Sequence, residues 1–130
     1  MIQIAKCAII CDATYLVLLR SHDSKFFPDH WDFPGGKLES AEDPNSAINR
    51  ELSEEIGLIA NLSRPKTDFS LSIQDVHGKN YSVHFIIYEL EISELTVKLS
   101  NEHQEFRWLS REELLLLPVE PYILEYFKRT

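Results

Sequence analysis

GKLESAEDPNSAINRELSEEIGL, residues 36–58, combines a glycine loop, a helix start and the densest run of carboxylates in the chain. Asp43 can accept hydrogen bonds from the first free helical N–H groups, and Pro44 suits the first helical position. Gly57 is a natural stop. The stretch therefore predicts a helix over 44–56, with charges at Arg50, Glu51, Glu54 and Glu55 and with Glu42 just upstream. Such a run is ordinarily a solvated face, but the helical wheel argues otherwise. At ~100° per residue the apolar stripe is Ile48, Leu52 and Ile56. Glu55 falls ~20° from Ile48 and Glu51 ~60° to one side, so both point at the core boundary.

A carboxylate placed there must be paired or metal-bound, because an isolated buried charge is very costly. Arg50 cannot satisfy Glu51, Glu54 and Glu55 together. Glu51 and Glu55 are also like charges one turn apart, which disfavours a helix unless something positive lies between them. Several carboxylate oxygens beside a glycine loop suit a hard divalent cation, Mg²⁺ or Mn²⁺. Such an ion can bridge phosphate oxygens and activate water. A structural ion-pair network is the alternative.

Upstream, residues 2–11 are apolar and β-branched and predict a buried strand, paired as a hairpin with a second over 15–19. Residues 21–30 read as a surface loop carrying Phe26 and Phe27. Trp31, Asp32 and Phe33 form a short strand entering a Gly35-Gly36 turn, where glycine permits positive φ and close backbone approach. Downstream, strands are expected over 66–74 and 81–90, the second central, with a polar connection over 91–102 and a short strand over 106–109. Ser110 and Glu113 form a capping box for a short helix, and residues 121–128 predict a last one. This order implies an α/β fold, a mixed sheet with helices packed on it.

The 130 residues suggest one domain over 1–130. A formal charge of −8 argues against tracking a nucleic-acid polymer, while a bound cation would still admit small phosphorylated substrates. Cys7 and Cys11 lie too far apart along one strand for a disulfide. Reduced thiols fit a cytoplasmic location. The N-terminus lacks the basic lead of a signal peptide, and no apolar run approaches a membrane span.

Gly36, Glu42, Arg50-Glu51-Leu52, Glu54-Glu55 and Gly57-Leu58, at these spacings, resemble the complete Nudix box, and the preceding Trp31-Asp32-Phe33-Pro34-Gly35-Gly36 resembles the family's entry to it. The resemblance implies the Nudix α/β/α sandwich and a hydrolase of a nucleoside diphosphate linked to another group, using Mg²⁺ or Mn²⁺. It implies metal ligands at Glu51, Glu54, Glu55 and the Gly36 carbonyl, with Arg50 and Glu42 orienting them. Glu102, in Glu102-His103-Gln104, matches the segment that supplies a further ligand or base, with Glu105 as its substitute. The implied chemistry is attack of water on phosphorus close to Glu51 or Glu54.

The tail Leu117-Pro118-Val119-Glu120-Pro121 resembles the MutT-type and CTP pyrophosphohydrolase branches. That implies a (deoxy)nucleoside triphosphate substrate, with modified or pyrimidine nucleotides as candidates, cleaved to a monophosphate and pyrophosphate. Val119 stands where the oxidised-guanine branch carries an asparagine, and valine cannot make that paired hydrogen bond. No proline or tyrosine marker of the ADP-ribose or dinucleoside polyphosphate branches stands near Asp75. Base-pocket candidates are Phe27, Asp32, His84, Val119 and Tyr122, with Arg20 and Lys37 as phosphate contacts. The expected partner is a small nucleotide, bound by a monomer or homodimer. Rival readings are a Nudix hydrolase of ADP-ribose, a nucleotide sugar or a dinucleoside polyphosphate, a non-catalytic nucleotide sensor, and an RNA 5′-end hydrolase.

Overall fold

A computed structural model describes residues 1–100 and 103–130 of the chain. Its centre is β1, Ile2–Cys11. Side chains alternate faces along a strand. Ala5, Cys7 and Ile9 therefore enter one core, while Ala8, Ile2 and Ile4 pack into another on the opposite side. Both faces are covered, which is why the strand reads as a nearly continuous apolar run.

A tight turn with Asp12 (φ 49°) and Ala13 (φ 60°) in the left-handed region leads into β2, Thr14–Arg20, antiparallel to β1. Two such residues match the twist of a hairpin. On its other edge β1 pairs in parallel with β6, Asn80–Glu91, and β6 pairs antiparallel with β5, Thr67–Gln74. That makes β6 an interior strand, as its apolar content predicted. The short β3, Trp31–Asp32, and β7, His103–Leu109, both pair with β2, and β4, Gly35–Lys37, pairs with β1.

Helix α1, Pro44–Ile56, has the predicted ends: Asp43 accepts from Ser46 N–H at 2.9 Å, and Gly57 stops it at φ 70°. It presses Ala47, Ile48, Leu52 and Ile56 onto Ala5, Cys7, Ile9, Ile86 and Tyr88. The short α2, Arg111–Leu114, carries the Ser110–Glu113 capping box. Helix α3, Pro121–Lys128, packs Tyr122, Ile123, Tyr126 and Phe127 on the opposite face, against Phe33, Val83, Phe85 and Ile87. The result is a mixed sheet between helices, an α/β sandwich.

Three local expectations need correction. Gly35–Lys37 is a strand, not a turn. Its glycine serves close approach, since a Cβ on Gly35 (φ 139°) would stand 2.1 Å from the Ala5 carbonyl oxygen. Strand β7 starts at His103 rather than Phe106, because pairing with β2 continues to Arg20. The connection after β6 is less polar in effect than in composition: Ile92, Leu95, Val97 and Leu99 pack on the α1-side core. Its backbone also bonds the helix end, Lys98 N–H to Ile56 O at 3.1 Å and Ser100 N–H to Glu55 O at 2.9 Å. Cys7 and Cys11 are free thiols. Among the described residues no helix is long and apolar enough to cross a membrane.

Candidate active site

The second half of α1 presents its three glutamates at graded depth. Their side chains are 14% (Glu51), 60% (Glu54) and 5% (Glu55) exposed. That is the order expected from their angles to the Ile48–Leu52–Ile56 stripe. Arg50 grips its neighbours as a fork. Its Nε and Nη2 donate to the two Glu42 oxygens at 2.8 and 2.9 Å, and Nη1 donates to Glu51 at 2.9 Å and Glu54 at 3.2 Å. These hydrogen bonds lower the Glu42 carboxyl to about 2. Burial raises Glu51, with Arg50 opposing it.

Glu55 lies outside this fork. It accepts from Gly35 N–H at 2.6 Å, and the His103 Nδ1 is 3.6 Å away, too far for a hydrogen bond. Burial pushes the Glu55 carboxyl up to about 8, against the partial help of Lys6 and the Gly35 N–H. Burial likewise lowers His103 to about 4, so its ring is neutral at pH 7.

These groups open on a cavity of about 940 Å³, the size range of small-molecule sites. One end holds Gly35, Gly36, Lys37, Glu51, Glu54 and Glu55. The apolar floor comes from Ile2, Ile4, Ile73 and Val83, and Phe26 and Tyr81 meet edge to face at 5.0 Å along its rim. Lys6, Arg20, Glu120 and His103 complete the wall.

Behind that wall is a buried charge network. Asp32 Oδ2 accepts from Lys6 Nζ at 2.9 Å and Arg20 Nη1 at 3.0 Å, and the Tyr122 hydroxyl donates to its Oδ1. Burial would raise Asp32, but Lys6 and Arg20 overcome it and hold the carboxyl well below the usual range. Burial pulls Lys6 toward neutrality, and Asp32, then Glu120, outweigh it and raise its pKa. Glu120 is raised far above a normal carboxyl by burial and by Asp32 beside it.

The sequence-expected pocket is only partly assembled. Gly36, Glu51, Glu54, Glu55, Arg20 and Lys37 line one cavity. Glu102 lies outside the described residues, and Glu105 pairs with Arg107 at 3.2 Å away from the cavity. His84 is misplaced: adjacent Val83 faces the cavity, so His84 faces the other side of the sheet and bonds Asp68 at 2.7 Å. Phe27 (φ 45°) packs into the α3-side core, and Phe26 takes the lining position. Val119 bridges to Trp31 and packs inward, while Glu120 faces the cavity. Asp32 and Tyr122 are 0% and 1% exposed and stand behind the wall. Lys6 and Tyr81 have no role in the sequence reading, His103 and Glu120 stand there only as members of the quoted segments, and Phe26 only as a loop aromatic beside Phe27. The alternation Ile2, Ile4, Lys6 on one strand face is the signal that points to Lys6.

Among the described residues, no three His, Cys, Asp or Glu side chains already form a cage for a cation. Arg50 holds Glu51 and Glu54 instead. The donor set still fits a hard divalent ion. The Glu51 carboxyl lies where a Cβ on Gly36 would be, 2.5–2.7 Å from it. Among the described residues, Glu55 is a buried carboxyl with no cationic side chain within hydrogen-bond distance of it.

A NUDIX domain family model matches residues 1–129. The chain is 30% identical over 114 residues to the nucleoside triphosphatase NudI of Escherichia coli O139:H28, covering 80% of this chain and 78% of that one. A crystal structure of a MutT protein from Methanosarcina mazei Go1 superposes with a TM-score of 0.83 at 27% identity, covering 98% of this chain and 91% of that one. The solution structure of the E. coli ORF135 protein superposes with a TM-score of 0.75 at 29% identity, over 99% and 89%.

Proposed function

This chain belongs to the NUDIX domain family, and on that premise we propose that it is a Mg²⁺-dependent (Mn²⁺-tolerant) pyrophosphohydrolase of (deoxy)nucleoside triphosphates, built as one domain. The observation that carries this reading is a single cavity lined at one end by Glu51, Glu54, Glu55 and Gly36 and large enough for a nucleotide. The name of the NudI relative, a nucleoside triphosphatase, supports the substrate class. Family enzymes generally use divalent metal ions. Here the Glu51, Glu54 and Glu55 carboxylates and the Gly36 carbonyl would hold the ion, with Glu102 as a further ligand, and it would neutralise phosphate charge.

The chain's own groups supply the rest. Arg50, braced bidentately by Glu42, orients Glu51 and Glu54. Arg20 and Lys37 bind phosphate oxygens. Glu54 is the most exposed of the three glutamates, and Arg50 bonds its Oε2. Its Oε1 takes the proton of the attacking water. The water oxygen bonds to one phosphorus of the α–β bridge as the bond from that phosphorus to the bridging oxygen breaks. The departing half leaves with the electron pair on the bridging oxygen, and the products are a nucleoside monophosphate and pyrophosphate.

The test is a nucleotide panel with Mg²⁺, scored for pyrophosphate against phosphate release, with Glu54→Gln alongside wild type. Pyrophosphate release lost in the variant with an unchanged circular dichroism spectrum is the expected result. Full activity in the variant would sink the site assignment, and cleavage of ADP-ribose or dinucleotides alone would sink the triphosphate reading.

A further inference from the structure

Arg50 holds Glu51 and Glu54 but not Glu55, and Lys6 Nζ bonds Asp32 and the Gly35 carbonyl rather than Glu55. Glu55 is left with the Gly35 N–H on Oε1 at 2.6 Å. Among the described residues its Oε2 accepts no hydrogen bond, although the side chain is only 5% exposed. His103 Nδ1 faces this oxygen at 3.6 Å. The His103 side chain is 3% exposed, and Nδ1 is itself buried without a partner.

Buried polar side-chain atoms ordinarily have a partner. A phenylalanine would fill the same space with no polar atom to strip of water. An orphan nitrogen aimed at an unbonded carboxyl oxygen therefore needs a reason. The backbone holds the two residues together. Ser100 N–H donates to the Glu55 carbonyl at 2.9 Å, so the connection after β6 is fastened to the residue that His103 faces. His103 opens β7 opposite Arg20 of β2, and the next side chain, Gln104, donates to the Arg20 carbonyl at 2.7 Å and to Asp29 at 3.1 Å. Strand register and connection together fix where the ring stands. A small turn of either side chain takes the 3.6 Å separation to the ~2.9 Å of an N–H···O bond.

We infer that His103 is a positioning residue for the cation site: its Nδ1–H donates to Glu55 Oε2 while the Gly35 N–H holds Oε1. This rests on Glu55 being a metal ligand, part of the function proposed above. A ligating carboxylate only accepts hydrogen bonds, so the atom facing it must donate. A neutral imidazole has a single N–H, and this contact places it on Nδ1. With a donor on each oxygen the carboxylate is held against rotation, and each oxygen keeps a further lone pair for the ion. The ring, kept neutral at pH 7 by burial, orients Glu55 without adding a positive charge that would compete with the cation. Arg50 does bring such a charge to Glu51 and Glu54.

The experiment compares wild type with His103→Asn, whose amide nitrogen takes the place of Nδ1, His103→Gln, whose amide nitrogen takes the place of Nε2, and His103→Phe. It reads Mn²⁺ affinity by calorimetry, melting temperature in EDTA, and kcat and KM on the nucleotide panel with Mg²⁺. His103→Phe and His103→Gln should bind Mn²⁺ about 10–100-fold more weakly and lose kcat rather than raise KM. His103→Asn should recover most of both. His103→Phe should melt no lower than wild type in EDTA, since it removes an unpaired buried nitrogen. Nitrogen-15 spectra of the Mg²⁺-loaded wild type should show the ring proton on Nδ1. Equal Mn²⁺ affinity in wild type and His103→Phe, rescue by Gln as good as by Asn, a metal-free His103→Phe that melts well below wild type, or a bare Nδ1 in the loaded enzyme would overturn the inference. The expected order of Mn²⁺ affinities without triphosphate hydrolysis would sink the triphosphate reading and support the role of His103. A wild type that binds no Mn²⁺ would sink both.

Discussion

Replacing Glu55 by glutamine should stabilise the metal-free fold while impairing catalysis. In the folded chain the carboxyl is raised from 4.5 to about 8, chiefly by burial. The unfolded chain therefore releases this proton at lower pH than the folded one. The stability associated with Glu55 is complete below about pH 4.5 and drains away as pH rises toward 8. Each unit is worth about 1.4 kcal/mol, so the loss reaches roughly 5 kcal/mol above pH 8 and roughly 3 kcal/mol at pH 7. Glutamine keeps an oxygen for the Gly35 N–H and carries no proton to lose. Urea unfolding in EDTA from pH 4.5 to 9 should show wild type and Glu55→Gln converging at the acid end and separating steadily upward, the variant the more stable. Mg²⁺ should stabilise wild type much more than the variant, because an ion bound only by the folded state adds stability by mass action. Parallel stability curves, or a variant less stable at pH 8, would refute the claim that Glu55 is a strained, cation-demanding carboxyl.

Gly36→Ala should cut turnover sharply with little change in melting temperature, since its Cβ would meet the Glu51 carboxyl at 2.5 Å, a side chain able to move. Steady-state kinetics beside thermal melts check this. Arg50→Lys keeps the charge but loses the fork to Glu42, Glu51 and Glu54; activity or metal affinity should fall about 10–100-fold, read from Mg²⁺ titrations of the rate. Tyr122→Phe removes the hydroxyl that donates to Asp32 and accepts from Phe33 N–H. Leaving both groups buried and short of a partner should cost about 1–3 kcal/mol in denaturant unfolding.

Local physics made much of this protein legible in its residues. Asp43, Pro44 and Gly57 fix the ends of α1 because capping involves atoms only a few residues apart. The depths of Glu51, Glu54 and Glu55 follow from helical period alone, and their spacing named the family. The strands of the hairpins were legible for the same reason. The substrate wall was not. Lys6, Asp32 and Glu120 come from a strand, a short edge strand and a helix cap, and meet only when β1, β3 and α3 pack together. His84 shows why: alternation gives a strand two faces and not which of them is the cavity's, and the parallel register of Val83 with Ile2 decides that. Phe27 lost its place to Phe26 for a comparable reason, a left-handed residue turning adjacent rings different ways. The sequence by itself determined the helix, its carboxylates and the family, since these depend on neighbours along the chain. Only tertiary structure decided which groups face the substrate, because that depends on strand register and on contacts between residues far apart in sequence.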